Sequence, residues 1–350
     1  MLLDSTFRDS INRQTMTNLL AWVIQISVIL FILLTSVAYL TLLERKVMSL
    51  IQLRIGPNRV GWWGLLQPAA DGLKMIFKED IVPLAANKLL YVAAPAVMLV
   101  PALMTLVVIP YGSQVTLFGR TIPLHVTQIN VGVLYVLGLT SVGVYGIVLA
   151  GWSSNNKYSL MGGLRASAQM ISYELALGLS IVGVVLWAGS LDLVAIVNAQ
   201  SGWGGFKWNI LRAPLGFFIF FIAALAETNR IPFDLPEADS ELVGGYHTEY
   251  SSMKFVMFQM GEYLNLITSA SMATTLFFGG WLGPGVERYP LLSLVYFVGK
   301  VFILILLSMW IRFTLPRFRY DQLMRFGWEV LLPLAIVNIA LTATVIFLLH

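Results

Sequence analysis

Long apolar runs separated by short polar connections dominate the chain. Eight of them fall near residues 19–43, 89–110, 128–151, 166–188, 211–226, 255–281, 290–311 and 328–349. Most match the twenty or so residues a helix needs to cross roughly 30 Å of hydrocarbon. Ahead of the first run, Leu3, Phe7 and Ile11 recur at i, i+4 and i+8, with Asp4, Arg8 and Arg13 elsewhere. That stripe suits either a helix lying in the interface or a frayed tail. Leu19–Leu43 is too long for a signal h-region and no small-residue cleavage site follows it, so it is expected to stay in the membrane. Between the second and third runs, Val115–Phe118 and Thr121–Leu124 flank Gly119-Arg120, the pattern of a two-residue hairpin. The expectation is an all-α polytopic membrane protein with eight transmembrane helices, an N-terminal interfacial helix and a short external β-hairpin. Residues 1–350 form a single integral membrane domain with two long cytoplasmic connections, 44–88 and 227–254.

Composition agrees: 58% of the residues are hydrophobic and mean hydropathy is +0.79. The net charge of +4 does not point to nucleic acid, because the bases sit in short connections between apolar runs. Of the 22 Lys and Arg, fifteen fall in the odd-numbered connections and four in the even-numbered ones, counting Arg212 at the edge of the fifth run. The positive-inside bias puts the odd connections in the cytoplasm and both termini outside. With no cysteine, the chain has no thiolate for an iron–sulfur cluster, a c-type haem or a disulfide. His125, His247 and His350 lie in connections or at the terminus, which argues against a bis-histidine haem or a zinc site in the bundle. Redox chemistry would have to use centres held by a partner.

The charges that remain are unevenly placed. Ala226–Lys254 holds six of the 18 acidic residues, Glu227, Asp234, Glu237, Asp239, Glu241 and Glu249, against the bases Arg230 and Lys254. Asp234 suits the cap of a short helix, with Pro236 in its first turn and Glu237 closing a capping box. Asp234, Glu237 and Glu241 would then share a helical face and repel one another, favouring a partly protonated cluster, with Gly244-Gly245 as a joint. Three carboxylates fall where hydrocarbon penalises them: Glu174 early in the fourth run, Glu227 at the end of the fifth and Glu262 inside the sixth. A charge at mid-membrane costs about 2.5–3.5 kcal/mol on insertion scales, so such groups face a bundle interior or water and serve a pathway. Lys300 in the seventh run reads as a base snorkelling outward. Lys46, Lys74 and Lys78 read as headgroup anchors. Glu44, a carboxylate at a cytoplasmic span end, is expected to pair with Arg45 or to line a polar cavity.

Five segments carry a resemblance: LLERK (42–46), QLRIGPNR (52–59), QPAADGLK (67–74), AETNRIPFDLPEADSELVGGYHTEY (226–250) and PRFRYDQLM (316–324). In this order the chain, from about Leu19 onward, resembles the H-subunit family of proton-pumping NADH:quinone oxidoreductases, respiratory complex I. The resemblance implies a bacterial inner-membrane subunit of eight transmembrane helices that joins the peripheral electron-transfer arm to the pumping arm. It implies a wall of the quinone chamber, open to lipid, and the start of a proton-coupling path. Quinone is then the substrate and this chain binds no cofactor. FMN and iron–sulfur clusters belong to partner subunits, and the partners are the peripheral quinone-site and iron–sulfur subunits and small membrane subunits. On this reading Glu174, Glu227, Glu262 and Glu249 belong to the proton path. Glu44, Arg45, Arg54, Arg230, Asp234, Glu237, Asp239 and Glu241 belong to the chamber and its coupling connection. The homologous membrane subunit of an energy-converting hydrogenase or a ferredoxin-fed complex is the nearest alternative. Without the motifs, carboxylates at membrane depth would suggest a secondary transporter.

Overall fold

A computed structural model describes residues 2–117, 120–125, 127–202, 207–234 and 243–349. The first helix, α1 (Leu2–Ile51), contains neither glycine nor proline, so nothing in its backbone breaks the i to i−4 hydrogen-bond ladder. The expected interfacial segment over residues 1–18 is therefore not a separate element: its described part is continuous with the first apolar run. The chain then forms α2 (Gln67–Phe77), α3 (Lys88–Val108), α4 (Gly132–Ser153), α5 (Lys157–Ala188), α6 (Leu193–Ala199) and α7 (Asn209–Arg212). These are followed by α8 (Pro214–Glu227), α9 (Ser252–Phe277), α10 (Leu291–Thr314), α11 (Tyr320–Arg325) and α12 (Leu332–Leu349).

Among the described residues, six helical stretches are long and apolar enough to cross a membrane. They are Ile26–Ile51, Lys88–Val108, Gly132–Ser153, Lys157–Ala188, Leu291–Thr314 and Tyr320–Leu349, which makes this a polytopic α-helical membrane protein. The last of them joins α11 to α12 through a π-helical stretch, Phe326–Leu331. The described strands form one antiparallel pair, β1 (Gln114–Leu117) and β2 (Arg120–Pro123), in the register Gln114 to Pro123 and Leu117 to Arg120. Because Arg120 pairs with Leu117, it belongs to the second strand rather than to the turn.

Helix α5 is the hub, packing against α4, α8 and α12. It begins nine residues before its apolar run because Asn156 caps it, its side chain accepting from the Tyr158 amide. Glu174 consequently sits at the middle of α5 rather than near its start. Glycines allow the closest approaches: a Cβ on Gly146 of α4 would lie 2.8 Å from the Met98 amide of α3, and one on Gly162 of α5 would lie 2.7 Å from the Gly245 Cα.

One correction concerns a lysine. The Lys300 ammonium does not turn outward: it donates to the carbonyls of Phe278, Gly280 and Leu282 at 2.7–2.9 Å, satisfying groups at and beyond the C-terminal end of α9. Lys46 donates to the Trp63 carbonyl at 2.5 Å, which folds the first connection back against α1.

Candidate functional site

The segment that leaves α8 carries three charged residues close together, and each faces a different part of the protein. Glu227 is the last residue of α8, and Asn229 adopts a left-handed conformation (φ 50°) that ends the helix and redirects the chain. Arg230 and Asp234 follow, and all three charged side chains are nearly buried.

Arg230 reaches α1. Its Nη1 lies 3.3 Å from Oε2 of Glu44, which is only 7% exposed. The same carboxylate accepts from Tyr263 Oη of α9 at 2.7 Å and, through Oε1, from Arg312 of α10. The Arg230 guanidinium also sits 4.4 Å from the Tyr263 ring centroid, so its charge is met by a carboxylate and an aromatic face together. One anion thus holds two cations from different elements in a site sheltered from water. There Coulomb interactions far exceed those of exposed pairs, and removing either sign leaves the other uncompensated. Asp234 pairs with Arg317 beyond α10 at 2.8 Å. Glu262 of α9 accepts from Tyr246 Oη at 2.9 Å and, like Asp234, lies within electrostatic range of Arg312.

Glu227 faces the interior of the helix bundle. The Thr140 hydroxyl of α4, which donates to the Leu137 carbonyl at 2.9 Å, lines the same small cavity as Glu227, and Glu174 of α5 is close enough for the two carboxylates to repel. Glu174 in turn accepts from Ser141, the neighbour of Thr140. A small cavity lined by Thr140, Leu177, Phe220, Glu227 and Thr268 lies beside this pair. Ion-pairing carboxylates and this pair therefore occupy two regions, joined by the few residues from 227 to 234.

The far end of the polar connection is anchored separately. Tyr91 and Tyr250 stack with ring centroids 4.1 Å apart, Tyr91 Oη donates to the Glu249 carbonyl at 2.6 Å, and Asn156 donates to the Glu249 carboxylate at 2.6 Å. Burial pushes the Tyr250 hydroxyl up to about 12, against the opposing hydrogen bond with Ser153, so at neutral pH it is a neutral donor. It donates to the Tyr91 carbonyl at 3.1 Å.

Of the residues singled out in the sequence, the structure brings together Glu44, Arg230, Asp234 and Glu262 at one end and Glu174 and Glu227 at the other. Glu249 instead holds the connection to α5. Glu44 does not pair with Arg45, because consecutive helical residues point about 100° apart. Arg45 pairs instead with Asp71 of α2 at 2.7 Å, on the surface. Arg54 is exposed, outside both clusters. Glu237, Asp239, Glu241 and the capped helix expected around them lie outside the described residues. Sequence reading missed Arg312, Arg317, Tyr263, Thr140, Ser141 and Gln169. Arg312 was legible only as a topological base and Arg317 only as part of the PRFRYDQLM segment, with no partner indicated, and a tyrosine, threonine, serine or glutamine in a membrane helix gives no signal of its own.

Known proteins share this sequence over most of its length. The sequence profile described as NADH dehydrogenase matches residues 24–343. An NADH-quinone oxidoreductase H-subunit of Koribacter versatilis is 53% identical over 342 residues, covering 93% of this chain and 96% of its own length. An NADH-quinone oxidoreductase H-subunit of Geobacter sulfurreducens is 54% identical over 332 residues, covering 92% and 93%. The Protochlamydia amoebophila protein of the same name is 52% identical over 309 residues, covering 88% and 92%.

Proposed function

This chain belongs to the NADH dehydrogenase family, among relatives named as the H-subunit of NADH-quinone oxidoreductase, and from that premise we propose that it walls the quinone chamber and couples quinone reduction to proton translocation. It works as a membrane subunit of that oxidoreductase complex and has no activity alone. One observation carries the reading. Within eight residues, 227–234, the chain passes from a buried carboxylate beside Glu174 and Thr140 to an arginine locked onto Glu44 and an aspartate paired with Arg317. Charge created on a quinone near Arg230, Glu44 and Asp234 would be felt at Glu227 and Glu174 along that short stretch, because groups shielded from water are weakly screened.

Glu262, close to Arg312, and Glu249, which holds the connection to Asn156, join the proton path. Arg45, Arg54, Glu237, Asp239 and Glu241 belong to the chamber rim and to the face met by partner subunits. Those partners are the peripheral quinone-site and iron–sulfur subunits, which bring the FMN and clusters, and small membrane subunits. Two further helices, α8 and α9, complete eight crossings in a single membrane domain. The 14 residues of α8 extend only about 21 Å at 1.5 Å per residue, so it crosses together with α7. The odd connections then face the cytoplasm of a bacterium, and both termini and the hairpin face the periplasm. The hydrogenase alternative draws no support from relatives about half identical to this chain.

The experiment replaces Glu227 or Glu262 by glutamine in the assembled complex. Quinone-coupled proton pumping should fall while electron transfer from NADH to a peripheral artificial acceptor is retained. Unchanged pumping in both variants would reduce these carboxylates to structural groups.

A further inference from the structure

The three charged residues at the start of the polar connection are held by one uncharged side chain. Gln169 of α5 is fully buried. Its Nε2 donates to the Ala226 carbonyl at 2.9 Å, to Asn229 Oδ1 at 3.3 Å and to the Phe233 carbonyl at 2.7 Å. Each acceptor belongs to the residue immediately before a charged one: Ala226 precedes Glu227, Asn229 precedes Arg230, and Phe233 precedes Asp234. An amide nitrogen has two hydrogens, so one is shared, and the longest contact, to Asn229, is the natural member of a bifurcated bond. The two carbonyls accept only, so the nitrogen end of the amide must face them. Asn229 is held a second time, donating to Met170 Sδ, next to Gln169, at 3.7 Å. The opposite end of the amide, Gln169 Oε1, is buried without a hydrogen-bond partner. Turning the amide to satisfy that oxygen would abandon three acceptors, so the side chain's orientation is set by the connection.

We propose that Gln169 is a positioning residue for the coupling reaction: one amide on α5 sets where Glu227, Arg230 and Asp234 stand relative to one another, and so fixes the spacing between the membrane carboxylates and the Glu44 cluster. This rests on the reading that those three charges carry the coupling. Substituting Leu for Gln169 leaves a side chain of comparable size and removes the donors. The Phe233 carbonyl then loses the Gln169 donor, the Ala226 carbonyl keeps only backbone amides such as that of Asn229 at 3.3 Å, and the charges on this stretch lose their common anchor.

The test compares Gln169→Leu, Glu227→Gln and the double variant in the purified, assembled complex. The measurements are NADH-to-quinone turnover, protons moved per electron, activity with a peripheral artificial acceptor, and the amount of this chain retained. The proposal expects Gln169→Leu to assemble with full peripheral activity and to lose quinone turnover by roughly 10- to 100-fold, the scale of a displaced catalytic geometry. The double variant should be no worse than the more damaged single, because both changes act on one arrangement. Should Leu not assemble, Gln169→Met fills the same space with an unbranched chain and is held to the same expectation. A silent Glu227→Gln beside a damaged Gln169→Leu would remove Glu227 from the coupling reading yet support positioning through Arg230 and Asp234. Full turnover in Gln169→Leu, losses that merely track loss of the chain, additive losses in the double variant where both single variants are impaired, or failure of both substitutions to assemble would each overturn it.

Discussion

Glu44 shows at the scale of a single residue why burial, not charge alone, sets the importance of an ion pair. It pairs with both Arg230 and Arg312 in a site where it is itself 7% exposed, with Tyr263 completing its hydrogen bonds. Arg45, its neighbour, pairs with Asp71 at a shorter distance than Arg230 pairs with Glu44, but both of those side chains are wet. Exposed pairs contribute about 0–1 kcal/mol, whereas removing one partner of a buried pair costs about 3–5 kcal/mol through the charge left behind. Glu44→Gln should therefore lower the heat resistance of the assembled complex markedly, while Arg45→Gln should barely change it. Equal shifts in unfolding temperature for the two variants would contradict this account of the cluster. The same contrast explains legibility: Glu227 and Glu262 stand out in the sequence as carboxylates inside apolar runs, whereas Arg312 and Tyr263 lie 268 and 219 residues from the carboxylate they meet.

At the scale of elements, α5 organises the site from the inside. It presents Glu174 to α4, Gln169 to the start of the polar connection and Gly162 to the Gly245 backbone. A Cβ on Gly162 would meet the Gly245 Cα at 2.7 Å, and a backbone atom cannot step aside as a flexible side chain does. Gly162→Ala should therefore destabilise by about 1–3 kcal/mol, as overpacking does, and displace the connection. Gly178→Ala on the same helix has open space and should be neutral or stabilise by up to about 1 kcal/mol through helix propensity. Thermal inactivation of quinone turnover in the two variants checks the pair, and equal tolerance would show that the contact with Gly245 does not constrain the connection. The existence of α5 was plain from its apolar run. Its extra turns from Lys157 depend on the Asn156 cap in a polar stretch where the hydrophobic pattern is silent.

The whole molecule raises a question of sidedness, for which the uneven distribution of bases supplies a testable expectation through the positive-inside bias. Because the chain has no cysteine, single substitutions report cleanly. Lys157 and Ser201 are both exposed and lie in connections of opposite parity. Lys157→Cys should resist a membrane-impermeant maleimide added to intact cells and react once the cytoplasmic face is opened, while Ser201→Cys should react from outside. Labelling of Lys157→Cys in intact cells would invert the topology. The sequence by itself determined the membrane class, the approximate position of each long helix and the family. Those properties are local or cumulative: a twenty-residue apolar run is penalised in water wherever it folds, and five ordered motifs are read without knowing what they touch. Only the tertiary structure decided that Glu44 meets Arg230 and Arg312 rather than Arg45, that Lys300 turns inward to carbonyls at the end of α9, and that Gln169 gathers Ala226, Asn229 and Phe233. Each of those contacts joins residues from different elements, and a buried polar group takes whichever partner packing brings within about 3 Å, a distance that no periodicity along the chain encodes.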